Sequence, residues 1–167
     1  RNDLGEVGAL DTNPRRWGSG EAEITSVRFL DAAGQERLLL TTGEPATIVI
    51  RYRARERITQ PMFGLAIHKN DGTHITGPNS VFSGYDLAAI EGEGEMRYRM
   101  ECLPLLEGTY YLSVSLCDHT GMHSYDFHSQ EYRFRVQPGS NLERYGLVYI
   151  PAHWEHTPLP QPVESAR

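Results

Sequence analysis

Histidine is the residue type in this chain best suited to chemistry, because five of its seven histidines fall near two predicted turns. They are His68, His74, His119, His123 and His128. Imidazole nitrogens suit zinc, so a metal site is one interpretation. The spacing of His119 and His123 makes a chelate on a helix, however, and here it straddles a turn between two strands. We therefore predict that these imidazoles hydrogen-bond a ligand or loop backbone, with no metal and no cofactor.

The chain lacks the residue spacing that three common classes of site require. Its glycine pairs, Gly18 with Gly20 and Gly92 with Gly94, have no following lysine and no strand-to-helix context, so they do not predict a phosphate-binding loop. Its serines, histidines and aspartates form no nucleophile elbow or other specific triad spacing. A glycosidase needs two carboxylates that flank the scissile bond, and the sequence does not place such a pair. We predict a binding domain rather than an enzyme.

A β-hairpin is predicted around the turn Asn70-Asp71-Gly72. The preceding residues alternate between bulky apolar side chains and small or polar ones, which is the period of a half-buried strand. A three-residue loop with glycine at its last, left-handed position closes a hairpin and fixes its register. That register pairs His68 with His74 and Ile67 with Ile75. One face of the hairpin is then core, and the other is small and polar.

A second hairpin is predicted from a matching turn, which places Gly121 at the same loop position as Gly72. Its register sets Cys117 opposite His123. The strand that leads into this turn alternates cleanly, so its apolar side chains fill the core and its small ones face away. The core set is Tyr110, Leu112, Val114 and Leu116, and the outward set is Tyr111, Ser113, Ser115 and Cys117.

The remaining sequence predicts short strands separated by turn signals, without a convincing amphipathic helix. Strands are expected at 21–30, with a bulge near Thr25-Ser26, and at 37–40, 46–55, 95–101, 131–136 and 146–150, while 80–95 is expected to be a loop. In the strand 46–55 we expect Val49, Arg51, Arg53 and Arg55 to face out, with the arginines answered by acidic residues on an adjoining strand. The pattern indicates an all-β fold, an antiparallel β-sandwich.

Composition narrows the partners that the chain can have. With 167 residues it can bury a core without disulfide or metal staples. Its net charge of −6 and the absence of a dense Lys/Arg block argue against nucleic acid or an anionic membrane surface. No stretch approaches eighteen apolar residues, so we predict neither a membrane span nor a signal peptide. Cys102 and Cys117 are expected to be reduced, with a bridge between them as the alternative.

The predicted domain organisation is one β-sandwich between two polar segments. Residues 1–15 form a linker or arm, residues 16–156 form the sandwich, and residues 157–167 form a disordered tail. The first residue is not methionine, which suggests a fragment of a longer protein. Trp17 is expected to be a buried anchor at the domain edge rather than a sugar-stacking residue.

Carbohydrate binding accounts best for the small, polar outer face of the two hairpins. A sugar site needs an open trough of small residues, an aromatic platform, and short polar side chains that both donate and accept hydrogen bonds. Such a trough forms if the two hairpin strands share a sheet. The predicted contacts are Gly64, Ala66, Ser113 and Ser115 on the floor, Tyr111 as the platform, His68 and His74 at one end, and His123 and Tyr125 from the second hairpin.

Four segments, taken in order, resemble the C-terminal domain of Wzt-type ATPases, the nucleotide-binding subunits of ABC transporters that export O-antigen and related polysaccharides. They are 16–22, 63–79, 105–114 and 146–149, within a resemblance that covers roughly Trp17 to Trp154. The resemblance implies an immunoglobulin-like sandwich that binds the exported glycan, commonly near its modified non-reducing end, without catalysing a reaction. The ligand contacts of this family vary with the glycan, so the contacts given above rest on strand parity.

The same resemblance implies partners and a location. It implies a cytoplasmic module at the inner face of the bacterial inner membrane, joined to the membrane transporter subunit through an ATPase domain outside this chain. It also implies a homodimer, in some members with a C-terminal strand exchanged between protomers. The alternative is a structural module that dimerises through the edge strand 146–150 without reading the sugar.

Overall fold

Nine β-strands and no helix make up the described part of the chain, which in this computed structural model is residues 15–141 and 143–163. The strands are β1 (Arg16–Trp17), β2 (Ala22–Leu30), β3 (Leu39–Thr41), β4 (Ala46–Thr59), β5 (Met62–Lys69), β6 (His74–Thr76), β7 (Ala89–Met100), β8 (Gly108–Cys117) and β9 (Ser124–Gln137). Within these residues no helix is long and apolar enough to cross a membrane. The predicted arm 1–15 lies outside the described residues except for Arg15.

The strands form two sheets that pack face to face, as the alternation of the sequence predicts. The larger sheet has the order β1-β9-β8-β5-β6, with β3 also paired to β9, and the smaller has the order β2-β4-β7. All pairs are antiparallel except β3 with β9, which is parallel. The antiparallel β-sandwich is confirmed, with one parallel edge pair that the sequence pattern did not predict.

The core lies between the sheets and is built from the bulky parity of each strand. Tyr110, Leu112, Val114 and Leu116 of β8 are all buried, as predicted. Tyr110 reaches a polar partner from inside the core, because its hydroxyl donates to the Leu106 carbonyl at 2.5 Å. The side-chain alternation of β8 therefore gives one core face and one outward face, and the outward face carries the candidate site.

The smaller sheet departs from the prediction at Val49, which is fully buried although its parity faces outward. Val49 lies in register between Arg28 and Arg97, whose side chains extend to Glu95. A β-branched residue between two long side chains is covered by their aliphatic stems. The predicted pairing of outward arginines with acidic neighbours is confirmed, for Arg51 lies 3.0 Å from Glu95.

The segment 90–95 was predicted to be a loop, and that prediction is wrong, because β7 begins at Ala89. The glycines of this segment favoured a loop in the sequence pattern, since glycine usually weakens a strand. Gly94 pairs with Tyr52 of β4, and a Cβ at Gly94 would overlap the Tyr52 hydroxyl. Glycine here makes room for a cross-strand tyrosine and does not end the strand.

The segment 146–150 was predicted to be a strand, and it forms only an isolated bridge, in which Val148 pairs with Leu105. Residues 157–163 have no regular secondary structure, and the last four positions of the predicted tail lie outside the described residues. Both cysteines are free, as predicted.

Candidate functional site

One row of residues crosses the outer face of the larger sheet. Trp17 of β1 pairs with Phe127 of β9, Phe127 with Ser115 of β8, and Ser115 with Gly64 of β5. A bridge from Gly64 to Asn79 completes the row. Directly opposite residues of paired strands point to the same face, so two aromatic rings, a hydroxyl, a bare backbone and an amide lie side by side.

The middle of this row is low because Gly64 has no side chain. A Cβ at this position would lie 2.5 Å from the Ser115 Oγ, so only glycine allows the Ser115 hydroxyl to keep its position. The next row along the strands pairs Ala66 with Ser113. The Ser113 hydroxyl accepts a hydrogen bond of 2.7 Å from the Gln130 backbone N–H, at a bulge in β9. The predicted floor of four small residues therefore exists as one continuous surface.

This floor forms a depression of about 190 Å³, which we call the trough. One wall is the segment after β6, which runs along the edge of β5 because the Leu65 N–H donates to the Pro78 carbonyl at 2.9 Å. The opposite wall is Phe127. The lining comprises Met62, Gly64, Leu65, Ala66, Gly77, Pro78, Asn79, Ser113, Val114, Ser115 and Phe127.

A polar row lies beyond the trough, toward the first hairpin loop. Tyr111 of β8 pairs with His68 on one side and with Arg133 of β9 on the other. His68 pairs with His74, as predicted, and the two imidazoles stack with their centroids 4.7 Å apart. The predicted pairing of Ile67 with Ile75 is wrong. An irregularity between Ile67 and His68 shifts the register, so Ile67 pairs with Thr76.

The two histidines differ in their hydrogen bonding. His74 Nε2 contacts the Thr76 carbonyl oxygen at 2.9 Å, whereas His68 Nδ1 is buried without a partner among the described residues. Burial lowers the pKa of His68, and the neighbouring His74 lowers it further. A neutral His68 can both donate and accept, which suits recognition of a hydroxyl group.

A second, more polar depression of about 550 Å³ begins where the polar row ends. Tyr111 lines it, and its other lining residues are Arg15, Asn70, Asp71, Gly72, Ser129 and Gln130. The two depressions are linked through the hydrogen bond between Ser113, which lines the trough, and Gln130, which lines the second depression. The outer face thus offers an elongated polar surface with Tyr111 near its middle.

The second hairpin places His123 and Tyr125 away from the trough. The predicted pairing of Cys117 with His123 is wrong, because Cys117 pairs with Ser124. The Asp118 carboxylate accepts from the Met122 and His123 N–H groups, at 3.2 and 3.3 Å, and this loop has one residue more than the first hairpin loop.

His123 and Tyr125 lie instead at the edge next to the connection from β1 to β2. His123 Nε2 lies 2.8 Å from the Ser19 Oγ, and its ring packs edge-on against Tyr125 with centroids 5.0 Å apart. Tyr125 packs against the core, and burial raises the pKa of its hydroxyl. Neither residue lines the trough or the second depression.

Trp17 was predicted to be a buried anchor, and the structure corrects this. The side chain is 42% exposed, and its ring stacks on Phe127 with centroids 4.2 Å apart and planes 13° apart. Arg16, its neighbour in β1, points to the other face and forms a forked pair with Asp126 at 3.1 and 2.9 Å. The buried group at this edge is therefore the Asp126 carboxylate, with which the exposed Arg16 guanidinium pairs.

Four residues of this face were not among the contacts predicted from the sequence, and the reasons differ. Arg133 follows from the parity of 131–136, since Tyr132 and Phe134 face inward, so its place was available in the pattern. Asn79 lies beyond the β6 strand and reaches Gly64 only through an isolated bridge. Trp17 and Phe127 come together at the site because the two-residue β1 pairs with β9. No local sequence pattern predicts that pairing.

The arrangement is equipped to bind a polar ligand. Hydroxyls, an amide and imidazoles can exchange hydrogen bonds with it, and aromatic faces can pack against its apolar parts. Within residues 15–141 and 143–163 no group of three or more His, Cys, Asp or Glu side chains could hold a metal ion.

Comparison with known proteins gives a family and solved structures of similar fold. A family model described as the Wzt C-terminal domain matches residues 13–150. The crystal structure of the C-terminal domain of wzt superimposes with a TM-score of 0.75 at 19% identity, covering 85% of this chain and 87% of that one. A Parabacteroides merdae β-glucuronidase matches with a TM-score of 0.37 at 9% identity, over 70% of this chain and 13% of that one, which carries no argument. No curated protein matches the chain.

Proposed function

The chain belongs to the Wzt C-terminal domain family, and from that premise we propose that it recognises a polysaccharide for export by an ABC transporter. The proposed ligand is an O-antigen or related glycan, bound near its non-reducing end. The domain binds the glycan without catalysing a reaction on it. It acts on the cytoplasmic side of the inner membrane and is joined to the transporter through an ATPase domain.

The observation that carries this proposal is the trough on the outer face of the larger sheet. Its floor is Gly64, Ala66, Ser113 and Ser115, which are too small to fill it. A sheet face that only met water would have no need of a glycine packed against a serine hydroxyl. The trough is below the ~300 Å³ that drug-sized ligands need, so it suits one sugar-sized group of a longer chain.

The polar row beyond the trough extends the proposed site along a glycan. Tyr111 offers a ring and a hydroxyl, and His68 and His74 offer ring nitrogens. Contacts of this kind are individually weak, so we expect a dissociation constant between about 1 μM and 1 mM for the isolated domain.

Calorimetric titration tests the proposed function. The probe is polysaccharide purified from the organism that encodes the chain, with its terminal modification present or removed. We expect saturable binding, tighter for the intact terminus. A folded sample that binds neither form rules the proposed function out.

A second function, dimerisation, is supported by the segment after β9. This segment leaves several large apolar side chains in solvent, at Tyr145, Ile150, Trp154 and Leu159. Among the described residues of this segment, Val148 forms a bridge with Leu105. Exposed apolar residues on an extended segment favour pairing with a second copy of the chain, because association removes them from water.

Removing residues 141–167 is therefore expected to convert a homodimer into a monomer. The deleted segment lies after β9, so the sandwich retains its two sheets. Light scattering measures the mass, and circular dichroism confirms that the truncated protein is folded. A truncated protein that stays dimeric argues against this role, and calorimetry on the same sample shows whether glycan binding is separate from it.

A further inference from the structure

Trp17 is held rigidly and yet remains exposed beside the trough. Its ring stacks in parallel on Phe127, and Phe127 is itself a trough-lining residue. In the register of the sheet, Trp17 lies two strands from Ser115 on the same face. Strands are spaced about 4.8 Å apart, so the two rings continue the trough by roughly 10 Å beyond its serine floor.

The strand that carries Trp17 is fixed from its other face and from both ends. The Arg16 guanidinium forks onto the buried Asp126 carboxylate. The Arg15 carbonyl accepts from the Ser129 N–H, and the Ser19 N–H donates to the Ser124 carbonyl at 3.0 Å. A two-residue strand is normally free to fray, so these contacts hold the backbone of β1, and the stacking on Phe127 orients the exposed indole.

Gly18 adds a constraint of its own. Its φ of +145° is a conformation that L side chains rarely adopt, and a Cβ there would overlap the Tyr125 carbonyl oxygen. The backbone of β1 therefore approaches β9 as closely as glycine allows. If the only role of Trp17 were to cover Phe127, any apolar side chain at this position would be sufficient. A ring with a fixed plane would not be required.

We propose that Trp17, backed by Phe127, is the stacking platform that selects a sugar residue presenting an apolar C–H or methyl-bearing face. This rests on the proposed function and names the class of sugar that the site takes. The flat ring packs against the C–H face of one pyranose, while Ser113 and Ser115, roughly 10 Å away on the trough floor, meet hydroxyls of the next sugar residue along the glycan. Aromatic contacts of this geometry favour the ligand beyond the area that they bury.

The chain has two tryptophans, Trp17 and Trp154, so fluorescence can isolate the platform. In the Trp154→Phe variant only Trp17 emits, and in the Trp17→Phe variant only Trp154 emits. Titration uses the purified polysaccharide and, as small probes, the 6-deoxy sugar methyl α-L-rhamnopyranoside and glycerol. We expect polysaccharide and the deoxy sugar, but not glycerol, to change the Trp17 emission, and the Trp154 emission to stay constant.

Affinity is then measured by calorimetry on three variants. Trp17→Ala is expected to weaken polysaccharide binding about tenfold, equal to about 1.4 kcal/mol. Trp17→Leu keeps an apolar cover on Phe127 without a flat ring, so it is expected to lose nearly as much while its thermal melting stays close to that of the unsubstituted protein. Leu38→Ala is the matched control and should bind normally, because Leu38 is exposed and lines neither depression.

The outcomes separate this inference from the function on which it rests. If the unsubstituted protein binds polysaccharide, and Trp17→Leu binds equally well with an unchanged Trp17 emission in the Trp154→Phe variant, the platform is overturned and the function stands. If the unsubstituted protein does not bind, the proposed function fails and the platform fails with it.

Discussion

Replacing Asp126 with asparagine is expected to lower the free energy of unfolding by about 3 kcal/mol. The Oδ2 atom of this buried carboxylate accepts from Arg16 Nη2 at 2.9 Å, from the Ile24 N–H at 2.7 Å and from His128 Nε2 at 3.1 Å. Its Oδ1 accepts from Arg16 Nε at 3.1 Å. An asparagine amide can preserve only one of these two acceptors, so its NH₂ group would face a donor.

Urea denaturation measures this loss, and Glu23→Gln is the matched control. Glu23 pairs with Arg55 at 2.7 Å on the outer face of the smaller sheet, where water replaces a lost partner. Its loss is expected to cost less than about 1 kcal/mol. Equal destabilisation by the two substitutions would contradict the anchoring role of Asp126.

The Asp126 effect should also depend on pH in a defined direction. Burial alone would raise the pKa of this carboxyl, but hydrogen bonds from His128, Arg16 and the Ile24 N–H outweigh it and hold the pKa below its usual value. The carboxylate therefore stabilises the fold above the pKa of the unfolded chain, near 3.9, and this contribution is lost as the pH falls through the folded pKa. The gap between the native protein and Asp126→Asn should be full at neutral pH and should close in acid.

Replacing Ala66 with leucine is expected to weaken polysaccharide binding at least tenfold. Ala66 lines the trough floor, and a leucine there places three more carbon atoms in a depression of about 190 Å³. The side chain points to the outer face and not into the core, so the fold should survive. Calorimetry measures the affinity, and thermal melting confirms that the variant is folded.

The matched control for this blockade is Thr47→Leu. Thr47 lies mid-sheet in β4 of the smaller sheet, in register with Arg99, and its side chain is partly exposed. This substitution puts the same leucine side chain on the opposite outer face, with a net gain of one heavy atom over threonine. Binding by Ala66→Leu as tight as by Thr47→Leu would show that the glycan does not occupy the trough.

The floor of the site could be predicted from sequence because strand parity is a local property. Gly64 and Ala66 alternate with Phe63, Leu65 and Ile67, and the structure places the two small residues on the outer face. The pairing of β5 with β8 was a hypothesis that only the structure could test. It was correct, and it brought Ser113 and Ser115 beside the small residues of β5.

The edges of the site could not be predicted because they depend on contacts distant in sequence. Trp17 is 110 residues from Phe127, and the two meet through the pairing of β1 with β9, which the contact of Arg16 with the Asp126 carboxylate reinforces. Loop length was equally hidden, since the Asp118 carboxylate stabilises a longer turn that the matching glycine did not reveal. As a result, His123 and Tyr125 lie at the edge, away from the trough.

The most direct test of the account is a titration of the ¹⁵N-labelled protein with the purified polysaccharide, followed by amide chemical shifts. We expect the largest shifts on Gly64, Ala66, Ser113 and Ser115, and we expect them to saturate with one dissociation constant. Amides of β7 in the smaller sheet should not move. Saturable shifts confined to β7, or no shifts in a folded sample, would contradict the claim that the trough binds the glycan.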